Sequence, residues 1–100
     1  MNKLVSIITP TYNSAKYIAE TIQSVQNQTY SNWEMLIVDD CSKDETLTIV
    51  KGISEIDSRI KWFKLDKNSG PGLARNKGIE NAQGDYMTFL DADDIWFPTF

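Results

Sequence analysis

The 100-residue sequence contains no histidine and a single cysteine, Cys41. No histidine and one lone thiol argue against a zinc site, which is built from several nitrogen and sulfur ligands. One thiol cannot form an internal disulfide, and no basic segment followed by an apolar core opens the chain as a secretory signal would. The expected compartment is therefore the cytosol. No apolar run approaches the roughly 18–20 residues that span a bilayer. Basic charge is not in excess: 10 Lys and Arg stand against 14 Asp and Glu, for a net charge of −4. A general nucleic-acid binder would be basic, so DNA and RNA are poor partners. Repeats, low-complexity segments and linkers are absent as well, and no Walker A or GxGxxG loop occurs. What remains is an ordinary globular composition, 41% hydrophobic and 24% charged, at about the size of one small domain.

The charge is unevenly placed. Arg59, Lys61, Lys64, Lys67, Arg75 and Lys77 crowd one stretch, which reads as a solvated face. Asp39, Asp40 and Asp44 crowd a second, and Asp91, Asp93 and Asp94 a third. Their meaning depends on the elements around them.

Val5-Ser6-Ile7-Ile8, closed by Pro10, predicts a buried first strand. From Ala15 to about Gln28, the apolar positions Ala15, Ile18, Ile22 and Val25 recur at helical spacing, with Asn13 or Ser14 available as cap. Trp33 to Val38 predicts a second strand. Ser42 precedes Asp44, Glu45 and a second helical stretch carrying Ile49, Val50, Ile53 and Ile56, where acidic residues in a first turn suit the positive helix end. Ile60 to Leu65 alternates as a third strand. Pro71 suits the first position of a third helix that runs to about Gln83, before Gly84. Tyr86 to Leu90 predicts a fourth strand. Strands separated by helices of about a dozen residues imply right-handed βαβ units and a mostly parallel sheet.

Ligands of such sheets bind beyond the carboxyl ends of the strands. Thr9-Pro10-Thr11-Tyr12-Asn13, Asp39-Asp40 and Asp91-Ala92-Asp93-Asp94 all follow strands, so they are expected on one rim. Carboxylates gathered there repel one another unless something positive or solvent intervenes. Hard oxygen ligands suit Mg²⁺ or Mn²⁺, and magnesium takes one or two carboxylates, then waters and substrate phosphates. An Asp-x-Asp at a strand end can supply such ligands, and the metal would bridge two phosphates. Asp40 can accept a hydrogen bond from the imide N–H of a uracil, with Tyr12 beside the same base. Asn68-Ser69-Gly70-Pro71-Gly72 is either a plain turn or a phosphate contact at a helix start. Arg75 can pair with phosphate or with one of the acids.

Taken in order, these segments resemble glycosyltransferase family 2. The matching residues are Val5 to Asn13, Ser24-Val25 with Gln28-Thr29-Tyr30, Val38 to Asp44, Asn68 to Asn76, Gly84-Asp85-Tyr86, and Phe89 to Asp94 with Trp96 and Pro98. The resemblance covers nearly the whole chain. It implies the Rossmann-like half of a GT-A fold, an α/β arrangement with a mostly parallel sheet and helices on both faces. It also implies metal-dependent, inverting transfer of a sugar from a nucleotide-diphosphate donor, UDP-linked by expectation, to an acceptor hydroxyl.

Pro10, Thr11 and Tyr12 would line the nucleoside pocket, Asp40 would hold the base with Asp39 beside it, and Arg75 and Asp91 would complete the nucleotide site. Members differ in which acid binds the Mg²⁺ or Mn²⁺, so Asp91, Asp93 and Asp94 are all candidate ligands. The acceptor would be a saccharide or a lipid-linked saccharide, in polysaccharide or cell-envelope synthesis, with peripheral membrane association of the full enzyme in view. Cys41 departs from the pattern, since a small residue, often glycine, follows the paired acids; it is expected to be tolerated, with crowding of the turn as the alternative. Family members carry a second half that supplies the general base. Residues 1–100 are therefore expected to be the donor-binding part of a longer chain, with the base beyond Phe100. Two rivals stand beside this reading. One is a module that binds a nucleotide sugar without catalysis. The other, a sugar-phosphate nucleotidyltransferase, would want a glycine-rich basic loop where Thr9 to Asn13 stands.

Overall fold

The computed structural model describes residues 3–93. Along them strands and helices alternate as β1 (Val5–Thr11), α1 (Ile18–Gln26), β2 (Trp33–Asp39), α2 (Thr46–Ile56), β3 (Ile60–Lys64), α3 (Pro71–Asn81) and β4 (Tyr86–Phe89). The strands form one sheet in the order β3-β2-β1-β4, and every neighbouring pair is parallel. No helix among the described residues is long and apolar enough to cross a membrane.

The strand order fixes where a ligand can sit. From β1 the chain steps outward to β2 and then β3. Helix α3 then carries it back across the sheet to the far side of β1. Right-handed crossovers run in opposite directions must lie on opposite faces. Accordingly, Ile7, Met35 and Ile37 pack with Ile18, Ile22 and Val25 of α1 and Val50 of α2 in one core cluster. The other face meets α3, where Ile8 lies so close to Gly78 that a Cβ there would stand 2.6 Å from Ile8 Cγ2. Strand β2, covered on both faces, is buried at every position. The reversal leaves a crevice between the carboxyl ends of β1 and β4, the place where open parallel sheets bind ligands.

Two local expectations are corrected. Pro10 does not end β1, which continues to Thr11. The Thr11 carbonyl accepts the Asp40 N–H at 2.8 Å, so Thr11 faces β2. By alternation, the Pro10 nitrogen faces the β4 side, where the ladder has already stopped at Ile8↔Phe89. No donor is needed there, so proline is tolerated. Helix α1 begins at Ile18, not Ala15, and neither Asn13 nor Ser14 caps it through its side chain. Asn13 instead sits at φ 48 and turns its carboxamide oxygen to the Lys43 N–H at 2.8 Å. Pro71 opens α3 as predicted.

Helix α3 stops at Asn81 because the next donors are drawn to the sheet. The Gln83 N–H donates to Glu34 Oε2 at 2.7 Å, and the Gly84 N–H donates to Ser6 Oγ at 2.8 Å. Ser6 Oγ donates in turn to Glu34 at 2.6 Å, and Lys61 Nζ reaches the other carboxylate oxygen at 2.7 Å. Burial alone would push the Glu34 carboxyl up. The hydrogen bonds from Lys61, Ser6 and Gln83, with the Lys61 charge, outweigh it and hold the group below its ordinary value. Gly84 is required at this junction, since a Cβ would stand 2.8 Å from the Leu4 carbonyl oxygen. The cluster pins the entry to β4 at the end of the sheet opposite the crevice.

Candidate functional site

The crevice is a cleft of about 410 Å³ lined by Pro10 to Ser14, Tyr17, Asp40, Pro71, Ala74 and Asp91 to Asp93. Three of its walls are the strand-end segments singled out in the sequence: the end of β1, the residue after β2 and the turn after β4. Tyr12 and Tyr17 are 42% and 47% exposed, presenting aromatic surface at its mouth. Asp40 opens onto the cleft, whereas Asp39 does not line it.

The acids after β2, Asp39 and Asp40 buried and Asp44 exposed, are occupied in holding the loops. Asp39, 1% exposed, accepts the Ser42 N–H at 3.0 Å and the Ser42 hydroxyl at 2.5 Å. Asp40, 5% exposed, accepts the Ser69 N–H at 2.6 Å on one oxygen and the Gly70 N–H at 2.9 Å on the other. Asp44 accepts from Thr46 and from the Ala15 N–H at 3.2 Å. Burial would raise the Asp44 carboxyl, but these bonds hold it below its ordinary value. Amide donors thus supply much of the positive charge that gathered carboxylates need.

These contacts position Tyr12. The Asn13 N–H donates to Ser42 Oγ and the Ser14 N–H to Thr46 Oγ1, both at 2.8 Å. With the Asn13–Lys43 bond, they clasp the loop after β1 to the loop after β2. Gly70, at φ 93, permits the turn that aims its N–H at Asp40 just before α3. Cys41, the departure noted in the sequence, sits at φ 63, a left-handed conformation that a side chain adopts with strain. The turn thus accommodates Cys41, with backbone strain that a glycine would not carry.

The acidic turn obeys a two-residue alternation. Leu90 and Ala92 are 3% and 7% exposed and belong to the core cluster, while Asp91 and Asp93 are exposed on the cleft. The small residue between the two acids is thus an anchor. Thr21 of α1 donates its hydroxyl to the Ala92 carbonyl at 2.6 Å. Arg75 lies 3.9 Å from Asp91, a long pair between groups 41% and 60% exposed, so it holds little energy and leaves the guanidinium available. Asp94, with Ile95 to Pro98, lies outside the described residues.

Among the described residues, no three His, Cys, Asp or Glu side chains are grouped so as to hold a metal by themselves. Asp91 and Asp93 nevertheless fit the way Mg²⁺ and Mn²⁺ are held with nucleotides, by one or two carboxylates plus water and phosphate oxygens. Sequence reasoning did not assign Ser14, Tyr17 or Ala74 to the site, and left the segment holding Pro71 open between a plain turn and a phosphate contact. For Tyr17 a signal existed: it is a large aromatic off the Ala15, Ile18, Ile22, Val25 stripe, and so is turned away from the core.

A family model described as Glycosyl transferase family 2 matches residues 6–100. A Bacillus subtilis (strain 168) protein named "Putative teichuronic acid biosynthesis glycosyltransferase TuaG" is 53% identical over 93% of this chain and 37% of its own length. Staphylococcus aureus TarS 1–349, solved in complex with UDP, superposes with a TM-score of 0.83 at 41% identity, over 89% of this chain and 27% of that one. The mannosyltransferase PcManGT of Pyrobaculum calidifontis, solved with GDP-Man and Mn²⁺, gives a TM-score of 0.86 at 29% identity, over 92% and 28%. The chain thus spans a little over a third of the length of the curated relative TuaG.

Proposed function

The chain belongs to glycosyl transferase family 2, and on that premise we propose that residues 1–100 are the donor-binding part of an enzyme that transfers a sugar from a UDP-sugar to an acceptor hydroxyl with inversion. The observation that carries this is the cleft at the strand-order reversal, where Tyr12, Asp40, Asp91 and Asp93 converge from three strand ends. TarS with UDP and PcManGT with GDP-Man support the donor class.

Each residue then has a task. Tyr12 offers an aromatic face to the base, with Pro10 and Thr11 as floor. Asp40 spends two of its roughly four lone-pair sites on Ser69 and Gly70, which leaves acceptor capacity for an imide N–H. Asp39 acts at one remove, shaping the turn through Ser42. Asp91 and Asp93, with Asp94, would hold Mg²⁺ or Mn²⁺. The ion, when bound, supplies the positive charge that offsets a departing diphosphate. Arg75 adds a guanidinium at the same edge. The general base belongs to no motif in these residues. The acceptor is a saccharide hydroxyl, free or lipid-linked, met at the cytoplasmic side of a membrane.

Calorimetry tests this. UDP is expected to bind more tightly with Mn²⁺ than without, and more tightly than TDP or GDP, and Asp93→Ala is expected to remove the Mn²⁺-dependent gain. Equal binding in every case would refute the metal site. Robust sugar transfer by the 100-residue chain alone would refute its assignment as the donor-binding part.

A further inference from the structure

We infer that Thr21 is a positioning residue for the acidic turn: its hydroxyl, held on α1, sets how far Asp91 and Asp93 reach into the cleft. This rests on the donor and metal reading proposed above.

Thr21 and Ala92 are 71 residues apart in sequence, yet Thr21 Oγ1 lies 2.6 Å from the Ala92 carbonyl oxygen. The same oxygen lies 3.1 Å from the Tyr17 carbonyl, the bond that a helical threonine commonly makes four residues back. A hydroxyl has one proton, so the two carbonyls compete, and the shorter distance assigns it to Ala92. The local helix bond is given up for a contact with another segment.

Thr21 is wholly buried and Ala92 nearly so. A buried carbonyl deprived of its donor is costly, so the turn cannot leave Thr21 cheaply. Ala92 stands between the two acids. Fixing its carbonyl fixes the peptide plane that joins Ala92 to Asp93, and through it the direction in which Asp93 leaves the backbone. Leu90, whose N–H donates to the Ile8 carbonyl at 3.1 Å, pins the other side of Asp91. The two carboxylates are therefore held from behind by one bond to β1 and one to α1. Tyr17, one turn before Thr21, lines the same cleft. Helix α1 thus sets both a wall of the site and the reach of its acids.

Outer partners that orient ligand-bearing segments typically cost 10–100-fold in metal affinity when removed. Thr21→Val keeps the shape and deletes the proton. UDP titrations with and without MnCl2, alongside thermal unfolding, read the effect. The expected result is a loss of about tenfold in UDP affinity in the presence of Mn²⁺, no change without it, and recovery in Thr21→Ser. If Thr21→Val does not fold, Thr21→Cys, with its weak donor, is compared with Thr21→Ser in the same assay. Equal weakening with and without Mn²⁺ would mean a merely structural role and would overturn the inference. Wild-type behaviour of Thr21→Val, while Asp93→Ala loses its Mn²⁺ response, would also overturn it and leave the metal reading standing. Absence of any Mn²⁺ response in the wild-type chain would remove the reading and the inference together.

Discussion

Asp40 and Gly70 are joined beside the cleft: the Asp40 carboxylate accepts the Gly70 N–H at 2.9 Å, at a glycine held at φ 93. The bond ties the end of β2 to the start of α3, the helix that covers one face of the sheet. It gives Asp40 a structural duty besides any nucleotide contact. Asp40→Asn presents an amide to one of two converging N–H groups, so a stability loss of about 1.5–3 kcal/mol is expected. Urea unfolding measures it. Unchanged stability would show that the Ser69-Gly70 loop does not depend on Asp40.

Gly78 lets α3 approach β1. Alanine would ordinarily favour a helix by about 1 kcal/mol. Here the new methyl would meet Ile8 Cγ2 at 2.6 Å in a packed interface. Overpacking of this kind costs about 1–3 kcal/mol, so the expected net effect of Gly78→Ala is destabilisation. The midpoint of chemical unfolding decides the sign.

Asp57 predicts an acid limb in stability. The Arg59 side chain, 3.0 Å away in its ion pair, holds the carboxyl at about 2, with the Arg59 N–H and Gln26 assisting against a smaller opposing effect of burial. Its ordinary value is 3.8, so the folded group is the stronger acid. The resulting stabilisation is complete above pH 3.8 and is lost as pH falls toward about 2. Asp57→Asn is expected to flatten stability against pH across that window while lowering it at pH 7. Because Arg59 is partly exposed, the loss at neutral pH is expected to be about 1 kcal/mol. Denaturant unfolding of both proteins through the acid range provides the comparison.

Cys41→Gly is expected to leave the turn after β2 unchanged and to raise stability slightly, by up to about 1 kcal/mol. The left-handed strain at φ 63 disappears, partly offset by the freer unfolded chain. A stability loss would mean that the Cys41 side chain makes a compensating contact.

Much of the architecture was legible in the residues. The β-branched run at Ile7 and Ile8, the helical stripe of Ile18, Ile22 and Val25, and Pro71 at a helix start are local signals, and local sterics and burial act on them directly. The rim of strand ends followed from topology, because alternating strands and helices leave few ways to fold. Missed features share a cause. Asn13 reads as a cap by its chemistry, yet its side chain crosses to Lys43, 30 residues away. Pro10 reads as a stop, yet it faces a ladder that has already ended.

By itself the sequence determined the α/β class, the parallel sheet and the presence of acids at the strand ends. Periodicity and strand-end position are properties of the chain's own spacing, so they can be read without coordinates. Only the tertiary structure decided which acids are spoken for. Asp39, Asp40 and Asp44 have identical side chains in one segment of sequence, and each carboxylate is engaged with a different loop. Asp91 and Asp93 face the cleft because Leu90 and Ala92 are drawn into the core and Thr21 holds the Ala92 carbonyl. Those partners come from distant segments. A carboxylate's availability depends on which donors the fold brings within hydrogen-bond reach, and that is set by packing across the whole sheet.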